Sequence, residues 1–201
     1  MENSITCVFG RKGSGKTWYI IKLIQNQKRL VIVDTLAEYG EKTNDLPFCK
    51  GVIIDDLYSF ISYLQSTHDK EFRVILRLTD EAEVEKAFET IWTVGELLLV
   101  IEEVDYYCNP SFISPAFSKI YKYGRHKNLS TIAISRRPYE VNRLLTAQAD
   151  TVVSFQQREQ RDIEYLAKFS DGERAEKLRD LPVGQFIVWG DENILKKITQ
   201  K

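Results

Sequence analysis

The sequence has almost no excess of charge of either sign. Its 28 lysine and arginine residues face 29 aspartate and glutamate residues, which gives a formal net charge of −1. A chain this close to neutrality does not attract nucleic acid through its overall field. Any contact with DNA must therefore come from a local basic patch, or from patches that an assembly repeats around a ring.

Cysteine and long apolar runs are also scarce. The three cysteines, Cys7, Cys49 and Cys108, are widely separated and form no Cys-x-x-Cys pair. This spacing argues against a disulfide framework or a zinc site and favours a reducing compartment. The apolar run from Leu97 to Ile101 is far too short to cross a bilayer, and the N-terminus shows no signal-peptide pattern. We expect a cytosolic chain with no membrane segment of its own.

Repeats, low-complexity tracts and flexible linkers are absent, so we expect a single domain over residues 1–201. Short apolar runs alternate with longer amphipathic ones, which predicts βαβ units around a mostly parallel sheet. The predicted strands are Ser4–Phe9, Arg29–Asp34, Gly51–Ile54, Phe72–Leu78, Glu96–Ile101, Ser130–Ser135 and Thr151–Phe155. The predicted helices are Lys16–Asn26, Leu57–Gln65, Glu81–Thr93, Pro115–Tyr123, Tyr139–Leu145 and Glu159–Phe169. A terminal hairpin is predicted from Gln185–Trp189 and Ile194–Ile198.

The segment between the first predicted strand and helix matches G-x-x-x-x-G-K-[ST] at every fixed position. It consists of Gly10, Arg11, Lys12, Gly13, Ser14, Gly15, Lys16 and Thr17. Its glycines let the backbone curl so that N–H groups point at phosphate oxygens, and the helix N-terminus adds a favourable dipole. Lys16 is predicted to bind the β- and γ-phosphates, and Thr17 to offer its hydroxyl to Mg²⁺. The sequence therefore predicts a site for ATP and Mg²⁺.

A second motif places two carboxylates, Glu102 and Glu103, directly after the buried strand. Beside a phosphate loop, the first acid is expected to hold Mg²⁺, directly or through water, and the second to activate the attacking water. The pair favours hydrolysis over simple nucleotide storage. Glu102 stands where Asp is usual, and Asp105 is an alternative if the strand ends later.

Basic residues flank the next predicted strand on both sides, between Tyr123 and Pro138. Ligands of open α/β sheets sit at the carboxyl ends of the strands, so Arg136 is placed to sense the γ-phosphate. Arg125, before the strand, is a candidate to stabilise transition-state charge in a neighbouring subunit. Residues 125–127 also fit an ordinary helix C-terminus, where cations complement the helix dipole.

The ordered set of motifs resembles the FtsK/HerA superfamily of DNA-pumping ATPases, and within it the viral genome-packaging ATPases. The resemblance rests on GRKGSGKT, LLLVIEE, GRHKNLSTIAISRRP and ADTVVSF, in that order. The strand LVIVD, which leads to Glu38 and Tyr39, and the late step LPVGQF are similar to the family as well. The resemblance covers nearly the whole chain.

This resemblance implies a three-layer, RecA-like P-loop NTPase fold of the additional-strand catalytic-glutamate type, with a mostly parallel sheet and a C-terminal hairpin. It implies that Lys16 and Thr17 bind phosphate and metal and that Glu103 is the catalytic carboxylate. Arg125 resembles the arginine finger that members offer to the adjacent subunit. Arg136 stands where many members have a sensor glutamine, so Arg136 is a second candidate for the finger.

The resemblance further implies a ring, a hexamer in most members, that threads double-stranded DNA. We expect a motor that packages a viral genome into a preformed capsid, in the host cytoplasm or the virion, with capsid or membrane vertex proteins as partners. Lys119, Lys122 and Lys127 are candidates for a basic pore, or for an ordinary solvated helix face.

Three alternatives to packaging remain. A HerA-type repair translocase and a conjugation or phage-assembly ATPase usually carry a flanking module or a membrane segment, neither of which is visible in the sequence. A nucleotide-gated switch with negligible hydrolysis belongs to a different class. The adjacent carboxylates of Glu102 and Glu103 argue against such a switch.

Overall fold

The computed structural model describes residues 4–40, 48–67, 70–169 and 172–190. The strands in these ranges are β1 (Ile5–Phe9), β2 (Arg29–Val33), β3 (Val52–Ile54), β4 (Phe72–Leu76), β5 (Leu98–Ile101), β6 (Cys108–Asn109), β7 (Phe112–Ile113), β8 (Ser130–Ser135), β9 (Thr151–Ser154) and β10 (Ile187–Gly190). The α-helices are α1 (Lys16–Ile24), α2 (Leu57–Ser66), α3 (Glu81–Val94), α4 (Pro115–Tyr123), α5 (Arg143–Gln148), α6 (Gln160–Ala167) and α7 (Gly172–Glu176).

Eight of the described strands form one sheet, in the order β10-β9-β1-β8-β5-β2-β4-β3. All neighbours pair in parallel except β10, which runs antiparallel to β9. Strand β8 lies between β1, which leads into the phosphate loop, and β5, which ends at the glutamate pair. This inserted strand and the parallel sheet confirm the predicted P-loop NTPase α/β fold.

Helices cover the sheet on both faces because each central strand is apolar on both sides, as expected for a parallel sheet. Helix α1 packs on one face against alternate strand residues, namely Val8, Ile32, Val100, Ile134 and Val153. Helices α2, α3 and α4 pack on the other face against the residues in between, which include Cys7, Val31, Val33, Leu99, Ile101 and Ala133. The result is the predicted three-layer architecture.

Side chains at the helix starts explain where several helices begin. The carboxylates of Asp56 and Asp80 accept hydrogen bonds from backbone N–H groups in the first turns of α2 and α3. The Ser114 hydroxyl does the same for α4, and Pro115 occupies the first turn, where a missing N–H is tolerated. No helix in the described ranges is long and apolar enough to cross a bilayer.

Two local predictions differ from the structure. The helix predicted at Tyr139–Leu145 is wrong: Pro138–Glu140 is a 3-10 turn, and α5 starts later because the Asn142 side chain caps it. Pro110 and Pro115 indicate a loop between them, but this stretch contains strand β7 of the small β6–β7 hairpin. The N–H groups of Ser111 and Phe112 donate to the Asn109 side chain and close the turn of this hairpin.

The predicted C-terminal hairpin is only partly described. Its first strand is β10, which starts at Ile187 and pairs with β9 of the main sheet. Its second strand, Ile194–Ile198, lies outside the described residues.

Phe88 of α3 provides a test of the core on the α2–α4 face. It is fully buried, and its ring centroid lies 5.5 Å from those of Tyr107 and Phe117. We expect Phe88→Ala to lower the free energy of unfolding by about 3–5 kcal/mol, because the lost contacts leave a cavity. Urea denaturation measures this change. Tyr58→Ala is the matched control, since the Tyr58 side chain is 83% exposed; an equal loss in both variants would contradict the packing described here.

Candidate nucleotide site

The predicted site residues other than Arg125 converge, because the carboxyl ends of parallel strands meet at one edge of the sheet. Phe9 of β1 pairs with Ser135 of β8, so Gly10 and Arg136 leave the sheet at the same level. Ile101 of β5 pairs with Ala133, which brings the two following glutamates to that level as well. The phosphate loop, the glutamate pair and Arg136 therefore share one edge.

A cleft of about 1020 Å³ opens at this edge. Its polar wall contains the phosphate loop and four charged side chains from outside the loop, namely Glu38, Glu102, Glu103 and Arg136. Its other wall is largely apolar. The lining residues are Lys12, Gly13, Gly15, Lys16, Thr17, Trp18, Tyr19, Leu36, Glu38, Glu102, Glu103, Arg136, Phe155, Val183, Gly184 and Phe186.

Glycine is required in the phosphate loop at the point where α1 begins. Gly15 is the N-cap of α1 and has a left-handed φ of 102°. A Cβ on Gly15 would lie 3.2 Å from the Gly184 Cα, and the Gly184 N–H donates to the Ser14 carbonyl at 2.9 Å. The loop is thus held from one side by the backbone of the segment before β10, and its other side faces the cleft.

Lys16 lies over the phosphate loop. Its Nζ donates to the carbonyls of Gly10 at 2.6 Å and Arg11 at 3.3 Å. Burial lowers the pKa of Lys16, and the nearby carboxylates of Glu102 and Glu103 oppose this shift. The ammonium group is therefore partly desolvated and close to the loop, where an anionic phosphate would compensate its charge.

Glu102 is buried at the base of the cleft, with 3% of its surface exposed. Its carboxylate accepts a hydrogen bond from the hydroxyl of the fully buried Tyr39. Burial raises the pKa of Glu102 to about 7, while the Tyr39 hydrogen bond and the charge of Lys16 lower it. Both interactions favour the charged form of a carboxylate that would otherwise be costly to bury.

Glu103 has an unusual backbone conformation, with φ of 46° and ψ of 53°. A residue with a Cβ is strained in this left-handed region by roughly 1–3 kcal/mol, and such strain concentrates at functional sites. The Glu103 Oε1 accepts a hydrogen bond from Arg136 Nε at 2.5 Å. Burial raises the pKa of Glu103, and the guanidinium charge of Arg136 opposes the shift. The strained backbone points the carboxylate into the cleft.

The three arginines around β8 occupy different environments. Arg136 lines the cleft, whereas Arg137 forms an ion pair with the buried Asp162, Nε to Oδ2 at 3.0 Å. Arg125 belongs to a 3-10 turn, Gly124–Lys127, before the amino end of β8. The six residues of β8 span about 17 Å, so Arg125 lies at the sheet edge opposite the phosphate loop of its own chain.

Two of the three lysines proposed for a pore contact one tryptophan. The Nζ atoms of Lys119 and Lys127 lie 4.7 Å and 6.0 Å from the ring centroid of Trp92. Lys122 is exposed on α4. Such cation–π contacts stabilise a local surface. The contact of these lysines with DNA stays a prediction.

The apolar wall of the cleft was not predicted from the sequence. Tyr19, Phe155 and Phe186 form a triangle with ring centroids 4.8–5.6 Å apart. Phe186 and Val183 remain 38% and 68% exposed, respectively, toward the cleft and solvent. Flat aromatic and aliphatic surfaces beside a phosphate loop suit a nucleotide base, which binds largely by stacking. Three separate chain segments supply these residues, so no local sequence pattern predicts that they come together.

Glu38 also lies in the cleft and was not among the predicted site residues. Its Oε2 accepts a hydrogen bond from the Thr17 hydroxyl at 2.7 Å. Glu38 follows β2, whose carboxyl end lies at the same edge as that of β5. This position is the signal that could have identified it, because acidic residues after neighbouring parallel strands converge.

The donor atoms in the cleft fit Mg²⁺. Thr17 and Glu102 offer oxygen, and Mg²⁺ is usually held by one or two protein oxygens together with substrate phosphates. Within the described residues, no cluster of three or more His, Cys, Asp or Glu side chains is arranged to hold a metal by itself. We expect the metal to bind together with a nucleotide, because substrate phosphates usually supply part of the Mg²⁺ coordination.

No protein-family model and no curated protein sequence matches the chain. Solved structures do. The genome packaging NTPase B204 from Sulfolobus turreted icosahedral virus 2, in complex with AMPPCP, superposes with a TM-score of 0.71 at 24% identity, covering 94% of this chain and 92% of that one. The same NTPase with ATP-gammaS gives a TM-score of 0.72 at 22% identity, with 96% and 94% coverage.

A more distant neighbour is the pCW3 conjugation coupling protein TcpA, with ATPgS. Its TM-score is 0.52 at 13% identity, over 99% of this chain and 65% of that one. At these identities the likeness establishes a shared fold. The resemblance to FtsK/HerA-type ATPases, and among them to viral genome-packaging ATPases, that the sequence motifs predicted is confirmed at the level of the fold.

Proposed function

We propose that this chain is an ATP-hydrolysing motor that moves double-stranded DNA, and that its cargo is a viral genome entering a preformed capsid. The observation that carries the proposal is the position of Glu103. Its strained backbone directs a carboxylate into the nucleotide cleft, beside the phosphate loop, where Arg136 holds it. Hydrolysis requires a carboxylate in this place, whereas a passive nucleotide switch does not.

The phosphate loop and the aromatic triangle would divide the binding of ATP between them. Backbone N–H groups of residues 10–17 and the Lys16 ammonium would hold the phosphates, and Tyr19, Phe155 and Phe186 would contact the base. Bound Mg²⁺ would supply charge neutralisation between the β- and γ-phosphates. Thr17 and Glu102 are the residues that would hold it.

Glu103 would orient the attacking water and accept its proton. In the structure its carboxylate is engaged by Arg136, which follows β8 at the same sheet edge as the phosphate loop. Arg136 can therefore bind either Glu103 or the γ-phosphate. Exchange between these partners would release the carboxylate when ATP is bound.

Arg125 would complete a neighbouring site. It is exposed on the sheet edge opposite its own cleft, so a contact with nucleotide requires a second copy of the chain. A closed ring satisfies this geometry, because each subunit then offers one edge to the cleft of the next. We propose a ring, hexameric as in most of the resembling ATPases, acting in the host cytoplasm or the virion.

Packaging is favoured over conjugation because the packaging NTPase matches this chain over almost all of both chains. TcpA is longer: 65% of it is covered, and its TM-score is lower. Capsid or membrane vertex proteins would then be the partners of the ring.

The test is the ATP hydrolysis rate with and without duplex DNA. We expect duplex DNA to raise the rate of the wild type. A rate that duplex DNA leaves unchanged would argue against a translocase, and the absence of any hydrolysis would point to the switch instead.

A further inference from the structure

Glu38 and Tyr39 connect the two halves of the metal-binding side of the cleft. The Glu38 carboxylate accepts the hydroxyl hydrogen of Thr17 from the phosphate loop, and the next residue, Tyr39, donates to Glu102 from the end of β5. In a phosphate-loop site, Glu102 is the residue expected to serve the metal together with Thr17. Here Glu102 is bonded to Tyr39, and Glu38 is the carboxylate that contacts Thr17.

The backbone around Glu38 is fixed, so this contact is built into the fold. The two oxygens of the buried Asp34 accept the N–H groups of Glu38 at 2.9 Å and Tyr39 at 3.2 Å. Arg77 holds the same carboxylate, Nε to Oδ2 at 3.1 Å, and donates to the Tyr39 carbonyl at 2.6 Å. These bonds restrict where the Glu38 side chain can lie, and it reaches Thr17 from there.

The hydrogen bond has a chemical consequence for Thr17. A hydroxyl has one hydrogen to donate and lone pairs to accept with. When the hydrogen is directed at Glu38, the lone pairs of Oγ1 stay available to a cation, and Thr17 lines the cleft. Outer partners of this kind orient metal ligands and commonly change metal affinity by roughly 10–100-fold.

The charges in the cleft support the same role. Glu38, Glu102 and Glu103 place three carboxyl groups in the cleft, together with the cationic side chains of Lys12, Lys16 and Arg136. Lys16 donates to backbone carbonyls of the phosphate loop and Arg136 donates to Glu103, whereas the carboxylate of Glu38 accepts from Thr17. A cation beside Thr17 would be stabilised by this carboxylate.

We propose that Glu38 is the positioning residue of the Mg²⁺ site: it holds the Thr17 hydroxyl so that its lone pair faces the metal. The assignment rests on the proposed ATPase function. In a phosphate-loop site the contact with Thr17 would be expected from Glu102, the first acid after β5. The proposal assigns this contact to Glu38, which follows β2.

The experiment measures how much metal tightens nucleotide binding, without hydrolysis. The dissociation constant of a fluorescent AMPPCP derivative is determined in EDTA and in excess Mn²⁺. The ratio of the EDTA constant to the Mn²⁺ constant measures how much the metal tightens nucleotide binding. We expect Glu38→Gln to reduce this ratio by about tenfold or more, with binding in EDTA no weaker than that of the wild type, because the substitution removes a negative charge from the cleft. Glu164→Gln, which makes the same change on an exposed face of α6, is the control and should match the wild type.

Each other outcome overturns the proposal in a distinct way. An unchanged ratio removes Glu38 from the metal site, and an increased ratio makes it a group that blocks the metal. Weaker binding in EDTA as well as in Mn²⁺ indicates a structural role. A wild type that binds no nucleotide at all would instead refute the proposed function together with this inference.

A second pair of variants tests whether Glu38 acts through Thr17. Thr17→Val removes the hydroxyl, so we expect Glu38→Gln to have no further effect on the Mn²⁺ ratio in that background. If Glu38→Gln lowers the ratio by the same factor with and without the Thr17 hydroxyl, the two residues act independently and the positioning role is wrong.

Discussion

Replacing Glu103 by Gln is expected to lower the ATP hydrolysis rate by about 10³-fold, because the amide cannot accept the proton of the attacking water. ATP binding should remain, since the phosphate loop and the aromatic triangle are unchanged. The amide oxygen can still accept the hydrogen bond from Arg136, so the local structure should persist. Steady-state hydrolysis and the dissociation constant of a fluorescent ATP analogue measure the two effects separately.

Asp105→Asn is the matched control for this prediction. Asp105 follows Glu103 by two residues in the 3-10 turn after β5, and it does not line the cleft. We expect Asp105→Asn to retain most of the hydrolysis rate. If Asp105→Asn loses activity and Glu103→Gln keeps it, the catalytic carboxylate is Asp105 and the role given to Glu103 is wrong.

Replacing Arg125 by Ala is expected to reduce hydrolysis by about 10³-fold or more, the usual contribution of an arginine finger. The reason is geometric. Arg125 lies across the sheet from its own phosphate loop, so we expect it to act on hydrolysis in the cleft of a neighbouring subunit of the proposed ring. The affinity for ATP should change much less than the rate, because the finger stabilises charge that develops in the transition state.

Mixing two inactive variants tests whether Arg125 acts in trans. In a ring that contains both Lys16→Ala and Arg125→Ala subunits, some clefts combine an intact Lys16 with an Arg125 from the next subunit. We therefore expect the mixture to regain part of the wild-type rate. The control mixture pairs Lys16→Ala with Arg136→Ala: since Arg136 lines its own cleft, no recovery is expected. Recovery in the control but not in the Arg125 mixture would make Arg136 the finger.

Much of the candidate nucleotide site could be predicted because its residues follow elements with strong local sequence patterns. The loop from Gly10 to Thr17 has a fixed spacing, and Glu103 follows an unbroken apolar strand. Knowing that parallel strands end at one edge was enough to expect Arg136 nearby. The β8 register with β1 and β5 then shows how these residues are brought to the same level.

Other local features were missed because competing interactions decided them. Apolar spacing alone predicted a helix from Tyr139, but Pro138 and the capping side chain of Asn142 divide that segment into a 3-10 turn and a later helix. The Asn109 side chain likewise closes a hairpin in a stretch that its prolines indicated to be a loop. In each case the hydrogen bonds of a single asparagine side chain outweighed the average pattern.

The amino-acid sequence alone was enough to predict the P-loop fold, the phosphate loop and the two glutamates after β5. These features depend on short periodic patterns and fixed spacings. Only the tertiary structure decided which carboxylate serves which partner. Tyr39 bonds Glu102 across 63 positions and Thr17 bonds Glu38 across 21. Contacts at such separations depend on how strands are ordered and registered in the sheet, and no local pattern encodes them. The same ordering places Arg125 at the edge that faces a neighbouring subunit in the proposed ring.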